Sequence, residues 1–420
     1  PYVGREFHGV WGNYDVKIHL PEGYNVAATG ISKNTPEQSK STGDWHFKAS
    51  NVIDFAWVAD PDLVYESVSV SKDTKMNFVY VHNDEYDEVW RQLPRFAVQA
   101  MRFLNDFIGE YPYPQYTIAQ GGDGGMEYPM ITLITANRSL PSLVGVTVHE
   151  MAHSWFQAVV ATNEALYEWM DEGFTSWIES ECMKIISPRE MSQERVGGSH
   201  SYSYYGYIKQ ALSGNEEAMS THADHYTTNR AYGVAAYSKG EVLVEQLGAI
   251  IGEKMRNEGM KEYFKVWSFK HPGPTDFKRV MERTSGIELD WYFDYFVNTT
   301  HTIDYAISSV ETNKKASTIT LEKVGIMPMP QDLKVSFKDG SSSSYHIPLV
   351  IMRGNREMNK GEILAEDWPW TNPTYTLEIP TQGKRISKIT LDPLLLQADV
   401  NRENNEVEFK SIGKQNFERE

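Results

Sequence analysis

With 420 residues, 40% hydrophobic and 23% charged, the chain is too long for one ordinary domain; at ~150 residues per domain the expectation is two or three. Forty basic against 57 acidic residues leave a formal charge of −17, a field that argues against nucleic acid or an anionic membrane surface as partner. The single cysteine, Cys182, excludes an internal disulfide. No run of about 18 apolar residues offers a transmembrane helix, and the first residues lack the charged and apolar regions of a secretory signal.

The first ~85 residues alternate apolar and polar side chains, as in Tyr14–Leu20, Asp44–Lys48 and Met76–Val81, and Gly, Pro, Asn and Ser separate the runs; this predicts strands. So few strands, starting abruptly, suggest the end of a larger β domain over 1–85. From about Asp84 the period becomes helical. Val89, Leu93, Phe96, Val98, Ala100, Met101, Phe103 and Leu104 predict a broad apolar face ending near Gly109. Tyr111-Pro-Tyr-Pro114 then forces extended chain. Two strand-like runs follow, around 116–119 and 131–135, with the glycine-rich stretch 121–125 between them. From Leu143 to about Trp291 most of the chain reads as helices.

After about Asp304 the period returns to two. Short strands are predicted around 318–322, 333–337, 346–351, 375–379 and 386–391, with Asp-Gly and Gln-Gly turn signals between them, the pattern of a β-sandwich. Residues from Asn401 onward are polar and read as a loose tail. The fold class is multi-domain α+β: a β remnant over 1–85, a mostly helical domain with a small β-sheet over 86–302, a β-sandwich over 303–400 and a polar tail over 401–420.

The strongest chemical signal is His149-Glu-Met-Ala-His153, inside the predicted helix 143–159. A spacing of four puts both imidazoles on one helix face, one turn apart, so that they converge on a point, with Glu150 beside them. The rival reading is two histidines satisfied on a helix surface. Against it stands Glu172, which follows His153 after an 18-residue spacer in Tyr167-Glu-Trp-Met-Asp-Glu-Gly173, room for a second helix to pack against the first. Two histidines and one glutamate leave the fourth tetrahedral position open, as a catalytic zinc requires. Imidazole and carboxylate together suit zinc better than calcium or magnesium, which prefer oxygen.

His149-Glu-x-x-His153, the spacer and Glu172 within Trp-Met-Asp-Glu-Gly-Phe resemble the M1 family of zinc aminopeptidases, gluzincins whose members include leukotriene A4 hydrolase and aminopeptidase N. Gly124-Gly-Met-Glu-Tyr128 is similar to the family's Gly-x-Met-Glu-Asn motif, Tyr237-Ser-Lys-Gly240 to its Tyr-x-Lys-Gly, and Trp155-Phe156 follows the second histidine as in the family. The resemblance implies that the helical domain is thermolysin-like, with one zinc per chain on His149, His153 and Glu172. It also implies attack of a zinc-bound water with Glu150 as general base, and Tyr237 as donor to the tetrahedral oxyanion. Glu127 would hold the cationic N-terminus of a peptide substrate. Gly124, Gly125 and Met126 would let the backbone approach that substrate and pair with it as an added strand. Lys239 is expected to make a structural contact.

Two departures stand out. Tyr128 replaces the motif's asparagine. Only the end of the family's N-terminal β domain is expected here, and none of its C-terminal helical domain. The function that follows is release of N-terminal residues from peptides. The alternatives are a zinc endopeptidase with an open cleft, or an inactive metal-binding protein that recognises peptides. Oligomeric state is not legible, and the compartment stays open between export with the signal removed and the cytoplasm.

Overall fold

A computed structural model describes residues 8–122, 124–186, 196–313, 315–409 and 416–419. The chain divides into two compact units. The first comprises Gly4–Met191 and Met260–Pro274; the second comprises Pro1–Val3, Ser192–Gly259 and Thr275–Glu420. Among the described residues no helix is long and apolar enough to cross a membrane.

The first unit opens with strands β1 (Gly12–His19), β2 (Asn25–Ala28) and β3 (Ile31–Ser32), helix α1 (Pro36–Thr42), and strands β4 (Asp44–Val52), β5 (Trp57–Asp60), β6 (Leu63–Ser69) and β7 (Lys75–Val81). Helix α1 is bracketed by Thr35, whose hydroxyl accepts from the Gln38 N–H, and by Gly43 in the left-handed region at φ 74°, the start and stop signals of a short helix. Strands β1, β4 and β3 form one antiparallel sheet and β2 pairs with β5.

Helix α2 (Asp87–Phe107) buries Trp90, Leu93, Ala97, Ala100, Met101 and Leu104. This stripe is narrower than the one expected, because Val89, Phe96, Val98 and Phe103 are only half-buried. Strands β8 (Gln115–Gly121), β9 (Gly125–Tyr128) and β10 (Ile131–Thr135) follow, then helices α3 (Leu140–Phe156), α4 (Glu164–Glu168) and α5 (Phe174–Ile186).

The sheet that carries the chemistry has the order β6-β7-β8-β10-β9. Its centre is parallel, with Phe78 opposite Ile118 and Ile118 opposite Thr132. Its two edges, β6 and β9, run antiparallel to their neighbours. This ladder crosses the boundary expected at residue 85. Strands β6 and β7 read like the strands before them, and alternation alone does not say which sheet a strand joins.

Helix α3 packs against β9, β10, α2 and α5. It is buried nearly all round, from Leu143 to Phe156, the pattern of a core helix. Its end is pinned by Trp155, whose Nε1–H donates to the Gly109 carbonyl at 2.6 Å, and by the edge-to-face pair Phe156–Phe174. Cys182 is buried in α5.

The second unit contains helices α6 (Ser201–Ala211), α7 (Asn229–Gly233) and α8 (Gly240–Ile251), followed in the chain by α9 (Glu253–Trp267), α10 (Pro274–Ser285) and α11 (Asp290–Phe296). Two sheets come next. One has the order β16 (Thr374–Pro380), β12 (Ala316–Lys323), β11 (Tyr305–Thr312), β19 (Phe417–Glu418). The other runs β15 (Glu362–Leu364), β14 (Ser342–Ile347), β13 (Gln331–Phe337), β17 (Ile386–Leu391), β18 (Glu406–Glu408). The run expected over 346–351 stops at Ile347, because Pro348 cannot donate to the ladder.

The expected loose tail behaves differently. Strand β18 pairs with β17, and β19 pairs with β11, so polar residues close one edge of each sheet, where one face meets water. Residues 410–415 and 420 of that tail lie outside the described residues.

Lys239 has the structural role expected of it. Its Nζ is buried and donates to Glu216 Oε1 at 2.6 Å and to the Thr299 carbonyl at 3.2 Å, with the Phe296 ring face 4.9 Å away. Removing one partner of a buried pair leaves an uncompensated charge. Glu216→Ala is expected to destabilise the second unit by about 3–5 kcal/mol, read from chemical denaturation. A variant as stable as the parent would mean that the pair contributes nothing.

Candidate metal centre

Helix α3 places His149 and His153 one turn apart. Glu172 reaches them from a π-helical turn, Trp169–Gly173, between α4 and α5. Just before it, Tyr167 breaks the helix at φ −143°, ψ 46°. A π turn carries one extra residue per turn and re-aims side chains relative to an α-helix, and such turns recur at functional sites. The ring of Phe174, edge-on to both Phe156 and Trp169, holds this turn against the end of α3.

Three ligand-type atoms converge. His149 Nε2 lies 3.1 Å from Glu172 Oε2, His153 Nε2 lies 3.3 Å from the same oxygen, and the two Nε2 atoms are 3.2 Å apart. The other ring nitrogens define the tautomers. His153 Nδ1–H donates to Asp171 Oδ1 at 2.8 Å and His149 Nδ1–H to Glu179 Oε2 at 3.2 Å. With both Nδ1 atoms acting as donors to carboxylates, both Nε2 lone pairs face the carboxylate of Glu172.

Three lone pairs aimed at one point repel unless a cation sits between them. Tetrahedral zinc with ligands at ~2.0–2.1 Å sets its donors roughly 3.3 Å apart, which these spacings match. Protonation balances point the same way. Burial pushes His149 down, yet the carboxylates of Glu172 and Glu179 raise it to about 10. Burial pushes Glu172 up, but the imidazoles of His153 and His149 hold it well below the usual carboxylate range. The surrounding carboxylates favour positive charge here, which a proton on His149 or a bound metal ion can supply.

Glu150 and Glu127 are buried, and each has one carboxylate oxygen, Oε2 and Oε1 respectively, without a hydrogen-bond partner among the described residues. Burial pushes both above the ordinary range. Glu127 sits on edge strand β9, opposite Thr132 of β10. Gly124 makes the bend into β9 at φ 93°, its N–H donating to Thr135 Oγ1 at 2.9 Å. Gly125 leaves room for the site: a Cβ there would lie 2.1 Å from Glu150 Oε1 and 2.7 Å from Val146 Cγ2, so that one of these side chains would have to shift.

Gly125 and Glu127 therefore share the face of β9 turned to α3. Alternation puts Met126 and Tyr128 on the other face, and Tyr128 packs against the cluster of Ala27, Leu63, Val79, Ala119 and Ile131. The expected contribution of Met126 is thus not made by its side chain on the Glu127 face, and the departure at Tyr128 falls away from that face too.

The residues brought together are His149, His153, Glu172, Glu150, Glu127 and Gly125, all in the first unit. Tyr237 belongs to the second unit, half-buried in another π-helical turn, Val234–Lys239. The sequence reading missed Asp171 and Glu179. The signal for Asp171 was its place beside Glu172. For Glu179 it was a spacing of seven after Glu172, two helical turns on.

His149, His153 and Glu172 form a donor set that could hold a metal ion. The model of the peptidase family M1 domain matches residues 95–296. Leucine aminopeptidase 2 of Lodderomyces elongisporus is 25% identical over 200 residues, 41% of this chain and 29% of that protein. The alanine/arginine aminopeptidase of Saccharomyces cerevisiae is 24% identical over 258 residues, 58% of this chain and 30% of that protein. Among solved structures, the aminopeptidase A of Legionella pneumophila in complex with aspartic acid superposes with a TM-score of 0.66 at 13% identity, covering 93% of this chain and 44% of that one. A mutant M1 zinc metallopeptidase from Deinococcus radiodurans gives 0.56 at 15% identity, covering 69% and 65%. The chain is similar to peptidase family M1, a metallopeptidase family, over just under half of its length, and zinc is the metal that the matched family and the donor set indicate. It spans less than a third of the length of each of these two curated relatives.

The Gly125–Glu150 contact is open to test. Gly125→Ala is expected to retain one zinc per chain and to lower kcat about 10²-fold, since a misplacement of about 1 Å costs that much. Metal content and steady-state kinetics on an aminoacyl substrate check it; parental kcat would show that Glu150 is not positioned by the bare backbone at 125.

Proposed function

We propose that the chain is a zinc-dependent aminopeptidase, releasing N-terminal residues from peptides. The observation that carries this reading is the convergence of the His149, His153 and Glu172 donor atoms within 3.1–3.3 Å beside two buried carboxylates, Glu150 and Glu127, each with an oxygen lacking a partner among the described residues. The names of the two curated relatives above, both aminopeptidases, support it.

A zinc ion held by His149, His153 and Glu172 would polarise the scissile carbonyl and make a water more acidic. Glu150 accepts the proton of the attacking water and delivers it to the departing amine. Burial, which raises its proton affinity, suits it to both steps. Glu127 receives the substrate's α-ammonium by a charge-assisted hydrogen bond, which fixes the first peptide bond in register. The outer edge of β9, a strand paired only with β10 among the described residues, offers backbone groups for an extended peptide to pair with. Tyr237, assigned by its match to the family motif, donates to the tetrahedral oxyanion. In this reading the first unit carries the metal and amine subsites of a thermolysin-type catalytic domain, and the two sheets of the second unit form a β-sandwich.

His149→Ala and Glu172→Ala are each expected to lose zinc and turnover together, as metal analysis would record; a full equivalent of zinc retained by both would reject the ligand set. Glu150→Gln is expected to keep zinc while kcat falls roughly 10²–10⁴-fold. The aminopeptidase reading itself is tested by kinetics on one peptide, free and N-acetylated. Cleavage of the free form alone is expected. Equal cleavage of both would make the enzyme an endopeptidase, and cleavage of neither by the zinc-loaded protein would leave only a peptide-binding role.

A further inference from the structure

Glu127 has a second buried carboxylate for a neighbour. Asp171 and Glu127 are 1% and 5% exposed, and together with His153 they bring ligand-type atoms within 4.8 Å of one another. Asp171 spends one oxygen, Oδ1, on His153 Nδ1–H. Its other oxygen, Oδ2, has no hydrogen-bond partner among the described residues, and neither has Glu127 Oε1. The charged groups that weigh most on Glu127 are His153, Asp171, Glu172 and Glu150; those on Asp171 are His153, Glu172 and His149. No lysine or arginine is among them, and both imidazoles are committed to the metal point through Nε2. Burial pushes both above the ordinary carboxylate range, so two adjacent buried carboxylates with open oxygens must take up either a proton or a cation.

We infer that Asp171 and Glu127 together form the receptor for the substrate's α-ammonium, which makes Asp171 a specificity-determining residue; this rests on the aminopeptidase reading above. A primary ammonium brings three N–H donors and one positive charge, enough to serve both open oxygens at once. A second metal ion fits the pocket less well, because the nitrogen that His153 turns toward it carries the proton given to Asp171. Asp171 precedes the ligand Glu172 in the chain, so the same turn that completes the metal site fixes one wall of the ammonium receptor. The span between bound amine and metal is thereby set by neighbouring residues of one π-helical turn and by β9, which selects the first peptide bond.

The test compares leucine hydroxamate with isocaproyl hydroxamate, which has the same zinc-binding group and no amine, as inhibitors of the zinc-loaded chain with zinc in excess. Asp171→Asn keeps an acceptor for His153 and removes the charge. It is expected to retain one zinc per chain and to weaken leucine hydroxamate about 10- to 100-fold, as for loss of a charge-assisted hydrogen bond, with the des-amino inhibitor changed by less than about twofold. Equal weakening of both inhibitors would mean that Asp171 acts only through His153, and a second equivalent of metal in the parent would make the pocket a metal site; either overturns the inference. Glu127→Gln supplies an independent arm. It is expected to keep at least about tenfold preference for the amine-bearing inhibitor, because Asp171 still holds the ammonium; complete loss of that preference removes Asp171 from the receptor even if Asp171→Asn fails to fold. Failure of the parent to hydrolyse any of a panel of aminoacyl substrates, leucyl, alanyl, arginyl and aspartyl among them, would instead reject the aminopeptidase reading.

Discussion

Two imidazole nitrogens and a carboxylate oxygen held 3.1–3.3 Å apart in a buried pocket form an arrangement that a cation between them would stabilise, and much of the first unit packs around them. Each imidazole is oriented from behind by its own carboxylate, Asp171 for His153 and Glu179 for His149. That orientation fixes the tautomer and makes the facing nitrogen a better donor. The same carboxylates raise the negative charge of the pocket, so removing the cation should cost more than its three direct contacts suggest.

The frame around these atoms is rigid where aim matters. Helix α3 is wrapped by a sheet and two helices, and aromatic contacts through Trp155, Phe156 and Phe174 clamp its end. Glu172 arrives on a π turn, a costlier backbone than an α-helix that lets Asp171 and Glu172, adjacent in sequence, serve different sites. On the opposite side β9 comes so close to α3 that a Cβ at 125 would displace the Glu150 carboxylate or the Val146 methyl. The reach of Glu150 and the position of Glu127 are thus set by a single backbone approach.

The convergence of His149, His153 and Glu172 was legible in the sequence because a four-residue spacing on a helix has one geometric meaning, and because the Glu172 segment and the glycine-rich strand carry motifs. Most strands and the long helix α2 could be read from periodicity as well. What could not be read were relations between elements. Strands β6 and β7 alternate like any others, so nothing local says that they join the sheet of β8 and β10. The orienting carboxylates are acids among 57, distinguished only once the helices pack. Tyr128 is a departure from the family motif by identity, but strand alternation turns it to the face away from Glu127. The polar residues after Asn401 looked like a tail because edge strands need little apolar surface.

Zinc K-edge X-ray absorption on the purified, zinc-loaded chain tests the central claim most directly. The ligand set predicts one zinc per chain with four light-atom ligands, two of them imidazole nitrogens at about 2.0–2.1 Å. A sulfur shell at about 2.3 Å, or a six-coordinate all-oxygen shell without imidazole scattering, would contradict it.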